Sequence, residues 1–87
     1  MSEKQSNLRK KILYQSQNRG CKETDLILGK FAEKYLEQMD MKELEIFQKI
    51  LELSDADIYD WYNNKSTVPV EYDTQLMRKL LNFVPIR

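Results

Sequence analysis

Histidine is missing from the 87-residue sequence, and cysteine occurs once, at Cys21. Histidine is the most common general base and metal ligand, so its absence removes serine–histidine nucleophiles and leaves too few ligands for an ordinary zinc site. A single cysteine excludes a disulfide within the chain and is typical of a reducing compartment. We therefore do not expect this chain to be an enzyme.

Glycine and proline are also scarce, with two residues of each. No GxGxxG or GxxxxGK[ST] pattern occurs, so the known glycine-rich nucleotide loops are not predicted. No apolar run approaches the roughly 20 residues that cross a membrane. Residues 1–7 are polar and lack the apolar core of a secretory signal. These features favour a cytoplasmic protein.

Acidic and basic residues balance overall, but they are unevenly distributed. The net charge is +4 over residues 1–35, −7 over residues 36–73 and +3 over residues 74–87. Carboxylate pairs such as Asp55 and Asp57 stand two positions apart and do not face each other on a helix, so they do not indicate a catalytic pair. The acidic middle is compatible with a basic partner and equally with an ordinary solvated surface.

Apolar residues recur at spacings of three and four, which indicates amphipathic helices. The spacing predicts an all-α fold, a compact five-helix bundle forming a single domain over residues 1–87. Residues 1–7 are expected to be a flexible N-terminal tail around the start of the first helix, and residues 84–87 a C-terminal tail. The helices are expected at about 4–18, 22–38, 41–53, from the cap Ser54 to Asn63 or Asn64, and 70–83.

Short polar residues and glycines mark the ends of these helices. Asp40 with Glu43 resembles a capping box, and Ser54 is a candidate N-cap. Gly20 is expected to end the first helix. The predicted apolar stripes are Leu8, Ile12 and Gln15; Leu28, Phe31, Ala32, Tyr35 and Met39; Leu44, Phe47, Ile50 and Leu51; Ile58, Trp61 and Tyr62; and Tyr72, Leu76, Leu80 and Phe83.

The turn between the first two helices places an arginine, a glycine and a carboxylate close together, at Arg19, Gly20 and Glu23. A guanidinium can bind a carboxylate or phosphate through its planar fork, and a bare glycine backbone permits close approach by another protein. A purely structural interpretation stands beside this one, in which Gly20 ends a helix and Glu23 complements the start of the next. The residues alone leave both open.

The pattern Arg19-Gly20-x-x-Glu23, followed by Asp25, resembles the RGxxE motif of the succinate dehydrogenase flavinylation factor family. That family is also described as the SdhE or YgfY type, or as succinate dehydrogenase assembly factor two. The segment from Asp55 to Trp61 is similar to a second family signature, and the resemblance extends over residues 8–83. Thr24 stands where family members commonly carry leucine, and an aliphatic residue is frequent at the position of Tyr62.

The resemblance implies an assembly factor that binds the flavoprotein subunit of succinate dehydrogenase or fumarate reductase and promotes covalent FAD attachment to it. It implies a monomer without a stably bound cofactor, because FAD acts on the partner. From the composition we also expect no metal, no nucleic-acid partner and no direct membrane insertion. The partner-binding residues implied are Arg19, Gly20, Glu23, Asp25, Asp57 and Trp61, although the core is the favoured location for Trp61.

Three alternatives remain at this stage. An antitoxin-like regulatory protein-binding module is compatible with the resemblance, and a flavin-transferring enzyme would bind FAD itself. A nucleic-acid binder would use the small basic cluster Arg9, Lys10, Lys11, Arg19 and Lys22, with an affinity that falls steeply with salt.

Overall fold

The computed structural model describes residues 3–85, and within that range it contains five α-helices and no β-strand. This confirms the predicted all-α fold. No helix within residues 3–85 combines the length and apolarity that crossing a bilayer requires. The helices are α1 (Glu3–Gln17), α2 (Lys22–Tyr35), α3 (Met41–Leu51), α4 (Asp55–Tyr62) and α5 (Gln75–Leu81), with 3₁₀ turns at Leu36–Gln38 and Val70–Tyr72.

The first helix begins close to its expected start. α1 begins at Glu3, one residue before the expected Lys4, so residues 3–7 of the predicted tail are helical. Glu3 lies in the first turn, where the helix dipole favours negative charge. Residues 1–2 of that predicted tail, and residues 86–87 of the C-terminal one, lie outside the described residues.

Two predicted helix caps are present. The Asp40 carboxylate accepts the Glu43 N–H at 2.9 Å, and the Glu43 side chain accepts the Asp40 N–H at 3.3 Å. The Ser54 hydroxyl accepts the Asp57 N–H at 3.2 Å, which starts α4. Each bond satisfies a backbone donor that has no partner within its own helix, so the caps set where α3 and α4 begin.

The fifth helix is shorter than predicted. Asp73 and Thr74 leave helical geometry, so the expected helix over residues 70–83 divides into a 3₁₀ turn and α5. The Thr74 hydroxyl accepts the Met77 N–H at 3.1 Å and caps the new helix. A threonine that bonds the backbone at a helix start competes with helix continuation through itself, and this explains the break.

One buried core is formed by residues from all five helices. Phe31 of α2 lies at its centre and packs edge-on against Phe47 of α3, with ring centroids 5.7 Å apart. Each fully buried aliphatic or aromatic side chain contributes roughly 1.5–3 kcal/mol. The core residues are Ile12, Ile27, Leu28, Phe31, Ala32, Leu36, Met39, Leu44, Phe47, Ile50, Ile58, Trp61, Leu76, Met77 and Leu80.

α1 and α2 cross closely at Ser16 and Gly29. A Cβ on Gly29 would lie 3.1 Å from the Gln17 Cγ and 3.7 Å from the Ser16 carbonyl oxygen, so glycine permits the approach. Ser16 is fully buried and its hydroxyl donates to the Ile12 carbonyl at 2.7 Å. Gln15, placed on the buried stripe by the sequence, is exposed instead. A small residue was needed at the crossing, and Ser16 supplies it.

Candidate functional site

The turn between α1 and α2 has an exposed glycine at its apex. Gly20 has a φ of +97°, which is unfavourable for residues with a side chain. No atom lies within 4 Å of the position that a Cβ on Gly20 would occupy. The backbone at this turn is therefore bare on its outer side, and glycine is needed there for conformation and not to avoid a clash within the chain.

The Arg19 side chain points inward. Only 11% of it is exposed. Its Nη1 donates to the Leu51 carbonyl at 2.7 Å, and its Nη2 donates to the Leu53 carbonyl. These carbonyls lie at and just beyond the C-terminal end of α3, where backbone acceptors have no helical partner and cations are stabilised by the helix dipole. Arg19 therefore caps α3 from the α1–α2 turn.

Asp55 completes this arrangement from the first turn of α4. Its Oδ1 accepts from Arg19 Nε at 2.6 Å and from the Thr24 hydroxyl at 2.7 Å. Burial opposes ionisation of Asp55, but the hydrogen bonds from Arg19 and Thr24 and the arginine charge outweigh it, so the pKa of the carboxyl is lowered. The Arg19–Asp55–Thr24 junction, as we call these three residues, links α2, α3 and α4 to the turn.

Asp25 fixes the backbone of the same turn. Its Oδ1 accepts the Arg19 N–H at 2.8 Å, and its own N–H donates to the Cys21 carbonyl at 2.8 Å. Asp25 is half-buried in the first turn of α2. Its carboxylate is thus occupied by the turn that it holds in place.

Glu23 lies on the exposed side of the same turn. The largest influence on its pKa is a hydrogen bond from its own backbone, which lowers it, and the Cys21 thiol adds to this by donating to Oε2 at 3.3 Å. Leu26 follows one helical turn later and is 41% exposed, beside a shallow groove of about 440 Å³ that Gly29 also lines.

The structure separates the six residues implied by the resemblance. Gly20 and Glu23 are exposed, and so is Asp57 in the first turn of α4. Trp61 is 7% exposed and its ring centroid lies 5.9 Å from that of Tyr72, which confirms the core interpretation for its side chain. Each of the three guanidinium nitrogens of Arg19 already donates a hydrogen bond within the chain, so its fork points inward and not toward a partner. Whether the remaining residues contact a partner stays a prediction.

Sequence reasoning missed Asp55 and Thr24. Asp57 was chosen in the acidic segment, yet Asp55 is the residue bonded to the turn. Thr24 was noted only as a departure from the family pattern, and here its hydroxyl supports Asp55. The sequence did carry one signal of this contact: Thr24 is polar at a position where leucine is common. A buried hydroxyl needs a hydrogen-bond partner, so Thr24 indicated a polar neighbour.

The basic cluster considered for nucleic-acid binding is divided in the structure. Arg9 donates from Nη2 to the Met39 carbonyl at 2.6 Å and from Nε to the Leu36 carbonyl at 3.3 Å, at the end of the segment that follows α2. Arg19 is likewise bonded within the chain. Within residues 3–85, no group of three or more histidine, cysteine or acidic residues is arranged to hold a metal ion.

Comparison with known proteins gives a consistent result. A family model described as flavinator of succinate dehydrogenase matches residues 10–84. The chain is similar to succinate dehydrogenase assembly factor 2, mitochondrial, from Dictyostelium discoideum, with 39% identity over 71 residues, covering 82% of this chain and 50% of the relative. The same-named protein of Lodderomyces elongisporus is 43% identical over 76 residues, covering 84% of this chain and 46% of the relative.

The relatives correct the expected location. Their names are mitochondrial, as is that of the Drosophila virilis protein, which is 38% identical over 78 residues, covering 87% of this chain and 49% of the relative. The expectation of a cytoplasmic protein was therefore wrong: it was inferred from the polar residues 1–7, the single cysteine and the lack of a long apolar run, and none of these features identifies a compartment. The chain spans about half the length of the curated relatives it matches. None of these names favours the antitoxin-like alternative.

Proposed function

Because the chain belongs to the flavinator of succinate dehydrogenase family, we propose that it binds the flavoprotein subunit of succinate dehydrogenase, or of a related fumarate reductase, and promotes covalent FAD attachment to that subunit. Its role is that of an assembly factor and not of an enzyme. The names of its relatives support a mitochondrial site of action.

The observation that carries this proposal is the two-sided α1–α2 turn. Its inner side is held by the Arg19–Asp55–Thr24 junction and by Asp25, while its outer side exposes Gly20 and Glu23. A rigid turn binds a partner with a smaller entropic cost than a flexible loop. We name Gly20, Glu23 and Leu26 the docking turn, since these residues combine a bare backbone, a carboxylate and an exposed apolar side chain.

Each residue implied by the resemblance then takes a role that matches its surroundings. Gly20 and Glu23 contact the partner, with the carboxylate meeting a cation. Arg19 and Asp25 are positioning residues that hold the turn. Asp57 is exposed and is available for a peripheral contact, and the buried Trp61 supports the fold of α4.

In this proposal the chain contributes positioning to a reaction that occurs on the partner. FAD is carried by the flavoprotein, and the residue that becomes linked to it is a histidine of that subunit, which this histidine-free chain does not supply. Docking would favour a partner conformation in which the acceptor and the flavin are correctly oriented, and orientation of this kind lowers an activation barrier substantially.

The test compares two substitutions at Gly20. Gly20→Ala and Gly20→Arg both incur the cost of a side chain at positive φ, of about 1 kcal/mol. Neither meets another residue of this chain within 4 Å of the added Cβ. They differ in how far the new side chain projects from the turn, so the difference between them measures contact with a partner.

We expect Gly20→Arg to lower covalent flavin incorporation by tenfold or more, measured by in-gel flavin fluorescence of the partner subunit in cells that lack the natural factor. Gly20→Ala should retain most of the incorporation. Equal incorporation with Gly20→Arg and the unchanged chain would show that the partner does not approach this turn. Circular dichroism of both variants serves as the folding control.

A further inference from the structure

A second surface lies at the other end of α2, where it meets α5. A groove of about 650 Å³ opens there between α2, α5 and the segment that follows α5. This volume is within the range of known ligand clefts, although the groove is open on one side. The lining residues from α2 are Lys30, Glu33, Lys34 and Tyr35, and the others are Lys79, Asn82, Phe83 and Val84.

The floor of the groove is aromatic and fixed in place. The Tyr35 and Phe83 ring centroids lie 6.1 Å apart, and both rings pack against the buried Phe31, at 4.9 and 5.5 Å. The Tyr62 hydroxyl donates to the Phe83 carbonyl at 2.6 Å and ties the segment that follows α5 to α4. Val84 follows with 75% of its surface exposed, so the floor continues into an unprotected apolar residue.

Two ammonium groups are held beside this floor. Lys79 Nζ lies 4.0 Å from the centroid of the Tyr35 ring, and Lys34 Nζ lies 5.4 Å from it. Cation–π attraction favours these positions. Among residues 3–85, no carboxylate oxygen lies within 4.0 Å of either ammonium. The groove therefore carries two ammonium groups, those of Lys34 and Lys79, that form no salt bridge with a described carboxylate. The Glu33 carboxylate, which also lines the groove, lies 3.8 Å from Lys30 Nζ.

The groove adjoins the docking turn. Lys30 and Glu33 line both this groove and the shallower one beside Leu26 and Gly29, so the two depressions share a wall along α2. The 14 residues of α2 span about 21 Å. A stable protein interface covers about 800 Å² on each partner, which exceeds what a single turn offers. A partner bound to the docking turn must therefore contact additional surface of this chain. The groove is the nearest depression farther along α2.

We propose that the Tyr35–Lys79 groove binds an acidic, apolar segment of the flavoprotein partner. A carboxylate of that segment is placed between Lys34 and Lys79, and a neighbouring aliphatic or aromatic side chain covers Tyr35 and Val84. The two lysine ammonium groups favour an acidic residue in the bound segment. The exposed apolar surface of the groove favours an apolar residue beside it. This inference rests on the proposed function, because it extends the same interface.

The experiment measures binding of the purified flavoprotein subunit to the full chain by biolayer interferometry at about 50 and 300 mM salt. The test variant is Lys34→Glu/Lys79→Glu. Its control is Lys42→Glu/Lys65→Glu, which makes the same change in net charge at two exposed lysines outside the groove. A third variant, Val84→Asp, tests the apolar contact at a residue that contributes little to the core.

We expect the test variant to weaken binding by tenfold or more at low salt and to bind with less dependence on salt than the unchanged chain. The control should stay within about threefold of the unchanged chain, and Val84→Asp should weaken binding by about fivefold. Equal affinities for test and control variants would overturn the groove proposal while leaving the proposed function intact. If the unchanged chain does not bind the flavoprotein at all, both proposals are wrong.

Other occupants of the groove would be recognised by two further measurements. Sedimentation velocity over a range of concentrations detects a second copy of the chain, and dimers that Lys34→Glu/Lys79→Glu abolishes would overturn the proposal. Amide chemical shifts recorded with inorganic phosphate test for a small anion. Binding of phosphate at low millimolar concentration, combined with flavoprotein affinity that the groove variants do not change, would also contradict it.

Discussion

The inner and outer sides of the α1–α2 turn use charged residues for opposite purposes. On the inner side, Arg19 and Asp55 are bonded to each other, and the arginine side chain is only 11% exposed. Arg19 also donates to backbone carbonyls, and Asp55 also accepts from the Thr24 hydroxyl. On the outer side, the Glu23 carboxylate is exposed and bonded only locally. A buried charge must be matched within the chain, whereas an exposed one is free to meet a partner. Arg19 and Glu23, four positions apart in the motif, therefore differ: the first is bonded within the fold, and the second is exposed and is proposed to contact the partner.

The first prediction tests the inner side and has the largest expected effect. Arg19→Ala removes the cap on α3 and leaves the Asp55 carboxylate without its cation, so we expect the free energy of unfolding to fall by about 3 kcal/mol. For a domain of this size, such a loss should lower the midpoint of thermal unfolding by at least 10 °C. Thermal unfolding followed by circular dichroism measures it.

The matched control is Arg78→Ala, which breaks an exposed arginine–aspartate pair. Arg78 Nε lies 3.0 Å from Asp73 Oδ1, but both side chains are largely in solvent. Exposed pairs contribute little because water and salt screen them. Similar losses for the two arginines would show that the Arg19 cap is not a structural requirement.

The second prediction concerns Asp55 and pH. Its pKa is lowered on folding, so its contribution to stability is fully present above its unfolded pKa of about 4 and is lost as pH falls through the folded value. Asp55→Asn should therefore cost roughly 2 kcal/mol at pH 7. The difference from the unchanged chain should shrink as the pH falls below about 4.

Urea unfolding of both proteins between pH 7 and pH 3 measures this difference. Thr24→Val supplies a second variant, because it removes one hydrogen bond to Asp55 while keeping the shape and the arginine. It should lose less stability than Asp55→Asn at neutral pH. A stability difference between Asp55→Asn and the unchanged chain that is independent of pH would contradict the ion-pair account.

Local sequence patterns were sufficient to predict most of the fold. The capping box at Asp40 and Glu43 and the cap at Ser54 are short-range arrangements, and they were found where the sequence placed them. The break before α5 was missed because the apolar period continues across it, and only Thr74 marks the new start. The apolar periodicity was enough to predict that the five helices exist, whereas the start of α5 depended on a single hydroxyl, that of Thr74.

The orientation of the site was less predictable than its position. Gly20 correctly indicated a turn, because a glycine after a helical stretch can adopt the positive φ that ends a helix. The acceptors of the Arg19 fork are the backbone carbonyls of Leu51 and Leu53, more than 30 positions away. A backbone carbonyl carries no signature in the sequence, so no local pattern revealed that the arginine points inward. Long-range pairing decided which motif residues remain exposed.

The third prediction tests the outer side and has the smallest expected effect on stability. Glu23→Gln keeps the shape of an exposed side chain and removes a charge that favours the start of α2, so the unfolding midpoint should fall by only a few degrees. Binding to the flavoprotein should weaken by about tenfold, since the carboxylate is proposed to meet a cation of the partner. Interferometry with that subunit, alongside thermal unfolding, measures both quantities.

Glu45→Gln is its control, because it removes the same charge from an exposed position on α3. If Glu23→Gln and Glu45→Gln bind the flavoprotein equally well, Glu23 has no part in recognition and the outer side of the turn is merely solvated. A loss of binding with Glu23→Gln at nearly unchanged stability, set against a large loss of stability with Arg19→Ala, would assign the two functions to opposite sides of one turn. Neither result alone makes that assignment, since an unstable variant also binds poorly.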